Sequence, residues 1–279
     1  MGKETEIAWT DHTFNPWWGC QRVSPGCERC YAETFAKRTG HNVWGPSAEY
    51  RRFGDKHWNE PLKWNRDAGS EGVRRRVFCA SMADVFDLRG PVEDRARLWK
   101  LIIETPHLDW LLLTKRPQNI AELAPAPWVT KGFPPNVWLG TTVEDQKRAE
   151  ERIPVLLDIP AAVRFLSCEP LLGPINVGSY LGNGGDVWPS HLDWVICGGE
   201  SGPGARPFAL EWAERLLNQC AAAGVPFFVK QLGAFTVSEQ RTTLEGEWAW
   251  RAGLKDRKGG DPAEWPEELR VRQFPEVRP

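Results

Sequence analysis

The chain has 279 residues, of which 41% are hydrophobic, and its formal net charge is −2. This size allows one large folded domain with a buried core. No apolar run approaches the ~20 residues that a transmembrane helix needs, and the near-neutral charge does not by itself indicate a nucleic-acid-binding protein. The polar residues Met1 to Glu6 do not form a signal peptide, so we expect a cytoplasmic protein whose seven cysteines are reduced.

Short apolar segments alternate with amphipathic segments along most of the chain. A cysteine-rich loop follows an extended entry and leads into a predicted helix over 31–38. Residues 40–72 are rich in Trp, Arg and Gly without a clear period, which predicts an irregular insertion or lid. Strands are then predicted at 77–81, 110–114, 137–141, 163–167, 194–197 and 225–230, and helices at 91–104, 119–123, 145–157 and 209–223.

This alternation of continuously apolar strands with helices predicts an α/β fold with a parallel sheet. The strand count favours a partial or complete (β/α) barrel, and a doubly wound open sheet is the alternative that periodicity leaves open. No Gly-x-Gly-x-x-Gly motif follows a predicted strand, which disfavours a dinucleotide-binding fold. We expect one α/β domain over residues 1–235 and a peripheral, irregular C-terminal extension over 236–279, where the alternation ends.

Three cysteines, Cys20, Cys27 and Cys30, lie in one short polar loop rich in Gly and Pro. Three thiolates can bind three irons of a [4Fe–4S] cluster and leave the fourth iron open for a substrate or cofactor. A zinc site completed by His12 or His41 is a second interpretation, since structural zinc takes four protein ligands. A disulfide is disfavoured by the odd number of cysteines, and a packing role is disfavoured by the polarity of the loop.

The motifs around this loop carry a resemblance. They are Ile7-Ala8-Trp9-Thr10-Asp11, Asn15-Pro16, Gly26-Cys27, Leu113-Thr114-Lys115-Arg116-Pro117, Phe165-Leu166-Ser167-Cys168-Glu169-Pro170-Leu171 and Gly198-Gly199-Glu200-Ser201-Gly202. Together they resemble a phage and bacterial three-Cys-motif family that is similar to radical S-adenosylmethionine (SAM) enzymes. The usual spacing in those enzymes is Cys-x3-Cys-x2-Cys, whereas this loop reads Cys-x6-Cys-x2-Cys.

The resemblance implies a barrel of the radical SAM type and two cofactors. Cys20, Cys27 and Cys30 would hold a [4Fe–4S] cluster, SAM would bind the open iron, and a 5′-deoxyadenosyl radical would abstract hydrogen from the substrate. An external one-electron donor such as flavodoxin or ferredoxin would supply the electron. Phage relatives modify DNA bases, so the resemblance also implies an isomerase that acts on amino-acid-modified thymidine in DNA, in the host cytoplasm if the protein is phage-encoded. A zinc-stabilised nucleic-acid-binding or structural protein without catalysis is the alternative.

Polar residues follow nearly every predicted strand, where a parallel barrel builds its active site. The resulting cofactor-binding candidates are Ser81, Asp84, Thr142, Glu144, Glu169 and Glu200. Ser81 and Asp84 follow the first strand after the cysteine loop, so we expect them at the methionine end of SAM. The Gly-Gly-Glu of radical SAM enzymes follows an early strand, whereas Gly198–Glu200 follows a late one. We therefore predict here a flexible loop that contacts an anion or cofactor, with Arg206 nearby.

Basic and aromatic residues supply a candidate nucleic-acid surface. Arginines able to contact phosphates occur at Arg51-Arg52 and Arg74-Arg75-Arg76. Trp44 and Trp58 lie in the same irregular segment as Arg51 and could stack unpaired bases. Packing of these tryptophans within the segment is the alternative.

Overall fold

The computed structural model describes Thr5 and residues 7–182, 191–241 and 252–276. The strands of this part are β1 His12–Thr13, β2 Trp17–Trp18, β3 Arg51–Arg52, β4 Arg75–Cys79, β5 Leu108–Thr114, β6 Val137–Thr142, β7 Val163–Cys168, β8 Trp194–Gly198, β9 Phe208–Ala209, β10 Phe227–Gln231 and β11 Thr236–Val237. The helices are α1 Tyr31–Arg38, α2 Asp55–Trp58, α3 Glu60–Glu71, α4 Val92–Glu104, α5 Ile120–Leu123, α6 Ala126–Lys131, α7 Gln146–Leu157 and α8 Leu210–Ala223. None of the described helices is long and apolar enough to cross a membrane.

The main sheet has seven strands in the order β1-β4-β5-β6-β7-β8-β10. This order follows the chain from one end of the sheet to the other. A doubly wound sheet reverses its order at a switch point, so that alternative is wrong. The fold is α/β with the strand succession of a partial (β/α) barrel, as the alternation of apolar strands and helices predicts.

The chain divides into two compact units, and the first comprises Met1–Thr141 with Asp158–Val163. Within it, β4 pairs in parallel with β1 on one side and with β5 on the other. Strand β5 also pairs with β6 and is buried at nearly every position. A parallel strand that is covered on both faces has apolar side chains on both, which explains why the sequence of β5 is almost continuously apolar. Helix α4 has Glu93 and Asp94 in its first turn, where their negative charges interact favourably with the positive end of the helix dipole.

The second unit comprises Thr142–Leu157 with Arg164–Pro279. Its strands β7, β8 and β10 are parallel, and the inner strand β8 is buried along its whole length. Helix α8 buries Trp212, Leu216 and Cys220 on the face that its apolar spacing predicts. Each strand and helix predicted individually from the sequence agrees with an observed one to within two residues at each end.

The prediction of an irregular segment over residues 40–72 is wrong for its second half, which forms α2 and α3. Helix α3 lies between β1 and β4 in the chain and is therefore the crossover between two parallel neighbours. Its buried residues are Pro61 and Ala68. Trp64 lies at i+3 and Ala68 at i+7 from Pro61, so these residues share one face of the helix, which the prediction missed.

The described part of the C-terminal extension lies along the outer edge of β10. The Val229 amide donates to the Val271 carbonyl at 2.8 Å, and the Gln273 amide donates to the Phe227 carbonyl at 3.0 Å. Trp265 and Leu269 of the same segment are buried. The segment thus covers backbone groups that an edge strand would otherwise expose. Residues 242–251 and 277–279 of the predicted extension lie outside the described part.

Candidate metal centre

The segment that leads into the cysteine loop is fastened to the carboxyl end of β4. The Asn15 side-chain oxygen accepts a hydrogen bond from the Met82 amide at 2.7 Å. The Gly19 amide donates to the Met82 carbonyl at 3.0 Å, and Gly19 pairs in parallel with Ala83. Cys20 therefore begins its loop beside the residues that follow β4, which is the end of a parallel strand where active sites form.

The three loop cysteines are free thiols in a compact turn. Cys20 and Cys30 are half-buried and Cys27 is buried. Pro25–Cys27 form a short 3-10 helix, and Cys30 directly precedes α1. The other cysteines, Cys79, Cys168, Cys197 and Cys220, are buried within strands or a helix, as a small apolar side chain would be.

Arg116, which follows β5, contacts the first of these cysteines. Its Nη1 lies 3.6 Å from Cys20 Sγ, and its Nη2 donates to the Gln21 carbonyl at 2.8 Å. The same guanidinium pairs with Asp84 at 3.0 Å and lies 3.7 Å from Asp87. The loop is thus held to the ends of β4 and β5 by one buried cation, which the sequence reasoning did not assign to the site.

Burial, together with the nearby Asp84 carboxylate, raises the pKa of the Cys20 thiol to about 12, although Arg116 opposes the shift. Burial also raises the pKa of Cys30, and Lys115 is among the groups that oppose this. Both thiols therefore keep their protons at neutral pH in the absence of a metal. A metal that binds them has to displace these protons, as metal binding to cysteine generally does.

Asp84 has all its nearest donors within the protein. Oδ1 accepts from the Phe86 amide at 3.0 Å and from Thr114 Oγ1 at 2.8 Å. Oδ2 accepts from the Lys115 amide and from Arg116 Nη1, each at 3.0 Å. Four hydrogen bonds use the capacity of a carboxylate. This arrangement argues against the predicted direct contact of Asp84 with a cofactor and indicates that it positions Arg116 instead.

Ser81, the other residue predicted at the methionine end, has a lighter set of partners. Its hydroxyl accepts from the Asn15 side-chain nitrogen at 3.1 Å and donates to the Asn15 side-chain oxygen at 3.4 Å, and its backbone carbonyl accepts from Tyr31 Oη at 3.0 Å. The residue is half-buried. Its hydroxyl retains hydrogen-bonding capacity, so Ser81 stays a candidate for cofactor binding.

Tyr50 and Gly19 pack together at the base of the loop. Tyr50 Oη donates to Asp87 Oδ2 at 2.7 Å, and burial with this hydrogen bond raises the Tyr50 pKa. Gly19 has φ +137°, and a Cβ added there would lie 2.2 Å from Tyr50 Cδ1. The loop thus depends on a residue without a side chain immediately before Cys20.

The remaining predicted cofactor ligands belong to the second unit, and each has a partner within the protein. Thr142 and Glu144 are buried, and Glu144 pairs with Arg152 at 2.9 Å. Arg152 also donates to the Thr142 carbonyl at 2.6 Å. Glu144 is fully buried, so the predicted contact with a cofactor is replaced by a buried ion pair.

Glu169 and Lys230 form an ion pair at the carboxyl ends of β7 and β10. Glu169 Oε1 lies 2.9 Å from Lys230 Nζ, and Oε2 lies 3.3 Å from Ser167 Oγ. The intervening strand β8 carries Gly198 here, and a Cβ at Gly198 would lie 3.1 Å from Glu169 Oε1. The glycine therefore leaves room for the carboxylate. Glu169 is partly exposed and stays a candidate ligand.

The predicted anion-contacting loop after β8 is neutralised internally. Glu200 Oε2 accepts from the Arg206 amide at 2.9 Å and from Arg206 Nε at 3.1 Å, and Arg206 Nη2 contacts Oε1. The Arg206 charge is thus balanced by Glu200. This pairing argues against both residues as contacts for an anionic ligand and indicates that they close the loop.

The candidate nucleic-acid surface is largely neutralised as well. Arg52 makes two hydrogen bonds to Asp94. Arg74, Arg75 and Arg76 pair with Asp109, Glu71 and Asp11, respectively.

The aromatic partners expected for bases are also packed within the protein. Arg51 lies over the Trp18 and Phe53 rings. Trp58 is only 2% exposed and cannot stack a base, so the packing interpretation holds for it. Trp44 is half-buried and packs against the small core beside α1.

The histidines considered for a zinc site have other partners. His12 stacks on Trp64 with ring centroids 4.3 Å apart, and His41 Nε2 lies 2.7 Å from Arg51 Nη1. Among the residues that the structure describes, no three His, Cys, Asp or Glu side chains converge as ligands of a single ion. A [4Fe–4S] cluster binds each cysteine at a different iron, so its ligands need not converge.

Comparisons with known proteins give one family match. The family model described as "Protein of unknown function (DUF5131)" matches residues 4–259. No curated protein matches the chain. Two solved structures of spore photoproduct lyase variants, one with bound AdoMet and a dinucleoside spore photoproduct and one with the photoproduct, share 11% identity with TM-scores of 0.43 and 0.40. They align over 80% and 76% of this chain, which spans 56% and 53% of their length.

Proposed function

We propose that this chain, which belongs to the DUF5131 family, is a radical SAM enzyme with a [4Fe–4S] cluster on Cys20, Cys27 and Cys30. The observation that carries the proposal is the fastening of a three-cysteine loop to the carboxyl end of β4. The Gly19 and Asn15 contacts with Met82 hold this loop at a strand end. The remaining described cysteines are buried in secondary structure, which leaves three ligands for four irons.

The surroundings of the loop suit a bound anion. Arg116 faces Cys20 Sγ, and Lys115 lies close enough to Cys30 to lower its pKa against the effect of burial. Cys30 also directly precedes the amino end of α1, where the helix dipole favours negative charge. A cluster with thiolate ligands carries net negative charge, so these features would stabilise it.

The residues of the first unit have distinct proposed tasks. When bound, the cluster would supply the electron that cleaves SAM reductively. Asp84 and Arg116 would hold the loop in place, and the Ser81 hydroxyl would hydrogen-bond the methionine end of SAM. In the second unit, Glu169 pairs with Lys230, is partly exposed and stays a candidate ligand by itself. An external donor such as flavodoxin or ferredoxin would reduce the cluster.

The proposed reaction is an isomerisation of amino-acid-modified thymidine in DNA, which rests on the family resemblance. The spore photoproduct lyase variants described above bind a dinucleoside photoproduct. Because their similarity to this chain is low, they do not support the DNA substrate. DNA would have to use cations other than Arg52 and Arg74–Arg76, since these pair with carboxylates. Salt-dependent binding of single-stranded DNA tests the substrate class. Absence of such binding would favour a free nucleotide.

Iron analysis tests the cofactor and the zinc alternative together. Protein purified without oxygen should contain iron and sulfide and, with dithionite and SAM, should release 5′-deoxyadenosine. Cys27→Ala should lose the iron, because it removes one of three ligands. The matched control Cys220→Ala removes a buried thiol from α8 and should retain it. Zinc without iron in the wild type, or full iron in Cys27→Ala, would refute the proposal.

A further inference from the structure

Arg116 is a buried cation whose guanidinium faces a cysteine sulfur. Its side chain is 6% exposed, and it belongs to the segment Thr114–Arg116 at the end of β5. Nη1 contacts Cys20 Sγ at 3.6 Å, and Nη2 donates to the next carbonyl, that of Gln21, at 2.8 Å. One guanidinium thus binds both the side chain of the first cysteine and the backbone that follows it.

Two buried carboxylates hold this guanidinium in place. Asp84 Oδ2 lies 3.0 Å from Nη1 and Asp87 Oδ2 lies 3.7 Å from Nη2, and their side chains are 8% and 4% exposed. Asp84 is itself fixed by the Lys115 amide, and Asp87 by Tyr50. Arg116 therefore cannot turn away from Cys20 without leaving buried carboxylates unpaired, which is costly.

We infer that Arg116 is a positioning residue that raises the reduction potential of the cluster through Cys20. The inference rests on the proposed function and adds a regulatory role for one residue of the same site. Hydrogen bonds to the ligand sulfurs and local charge set the potential of an iron–sulfur cluster. A donor with positive charge beside Cys20 Sγ favours the reduced state, which carries one more electron. Asp84 and Asp87, as nearby anions, oppose this effect.

A purely structural role would predict something different. If Arg116 served only to hold the Gln21 carbonyl, its replacement would reduce cluster loading or stability without a change of potential in the loaded fraction. If its charge acts on the cluster, removing the cation and removing the anion should shift the potential in opposite directions. The sign of two shifts therefore separates the two roles.

The test is a redox titration of reconstituted protein, followed by electron paramagnetic resonance, for the wild type and three variants. Arg116→Gln should reduce the ratio of reduced to oxidised cluster about tenfold at a fixed potential, which is a shift of about 59 mV to more negative values for one electron. Asp87→Asn should shift the potential to less negative values. The matched control Arg97→Gln removes an arginine of α4 that is 41% exposed and pairs with Asp55, so water screens its charge and no shift is expected.

The outcomes are distinguishable from those for the proposed function. Wild-type protein that takes up no cluster refutes the proposed function and this inference with it. A loaded wild type whose potential is unchanged in both Arg116→Gln and Asp87→Asn refutes the inference alone, as do shifts of the same sign. If Arg116→Gln does not take up a cluster, Arg116→Lys is titrated in its place, because it keeps the positive charge. Asp87→Asn then still tests whether nearby charge changes the potential of the cluster. An unchanged potential in Asp87→Asn would then overturn the inference.

Discussion

Gly19 allows a sharp test of how the cysteine loop is built. Its φ of +137° lies in a region that disfavours residues with a Cβ, and a Cβ there would lie 2.2 Å from Cδ1 and 2.6 Å from Cγ of Tyr50. These atoms belong to the part of the ring that is attached to Cβ, and at the other end of the ring the Tyr50 hydroxyl donates a hydrogen bond to Asp87 at 2.7 Å. The ring therefore cannot move aside without losing a buried hydrogen bond.

The expected cost of Gly19→Ala follows from these two effects. An unfavourable positive φ costs about 1–2 kcal/mol for a residue with a Cβ. Overpacking against a fixed side chain costs about 1–3 kcal/mol more. The free energy of unfolding should therefore fall by about 2–5 kcal/mol.

Gly45→Ala is the matched control, because Gly45 has φ +112° but nothing lies within 4 Å of its added Cβ. It should lose only the strain part, about 1–2 kcal/mol. Urea denaturation followed by circular dichroism measures both changes in reduced apoprotein. Adding Tyr50→Ala to Gly19→Ala should make the two effects non-additive, since the Tyr50 ring is what the new Cβ meets. Equal losses for the two glycine variants, with additive effects in the double variant, would refute this account of the loop.

Two further predictions concern charged groups. Glu144→Gln should lower the free energy of unfolding by about 3–5 kcal/mol, because it leaves the buried Arg152 without its charged partner. The control is Glu150→Gln on the exposed face of α7. A similarly small loss of stability in both variants would contradict the role of the buried ion pair. Glu33 is subject to burial, which raises its pKa, but hydrogen bonds from Lys37 and Arg22 outweigh this and leave the pKa below its ordinary value. A lowered pKa stabilises the fold above the unfolded-state pKa, so Glu33→Gln should be less stable than the wild type at neutral pH, and this difference should vanish as the pH falls through the folded-state pKa. A difference that persists at low pH would show that charge is not its cause.

The loop cysteines and the order of strands and helices could be predicted from the sequence because they depend on local spacing. Continuous apolar runs such as Leu111–Leu113 identify buried parallel strands wherever they occur. The three cysteines lie within eleven residues of each other, from Cys20 to Cys30, so one loop necessarily brings them together. Helix α3 was missed although Pro61, Trp64 and Ala68 are spaced for one helical face, because they lie among charged residues in a segment rich in Trp, Arg and Gly.

Only the tertiary structure decided which polar residues have partners. Asp84 and Glu144 follow the end of a parallel strand, as Ser81 and Glu169 do, so the strand order alone does not separate them. Glu144 is buried against Arg152, whereas Ser81 remains half-buried. A fully buried carboxylate whose oxygens already accept from donors of the protein is not available to a ligand, and such donors often come from distant parts of the chain. Arg116 illustrates this, since it meets the sulfur of Cys20 across 96 positions of sequence only because neighbouring strands β4 and β5 end side by side.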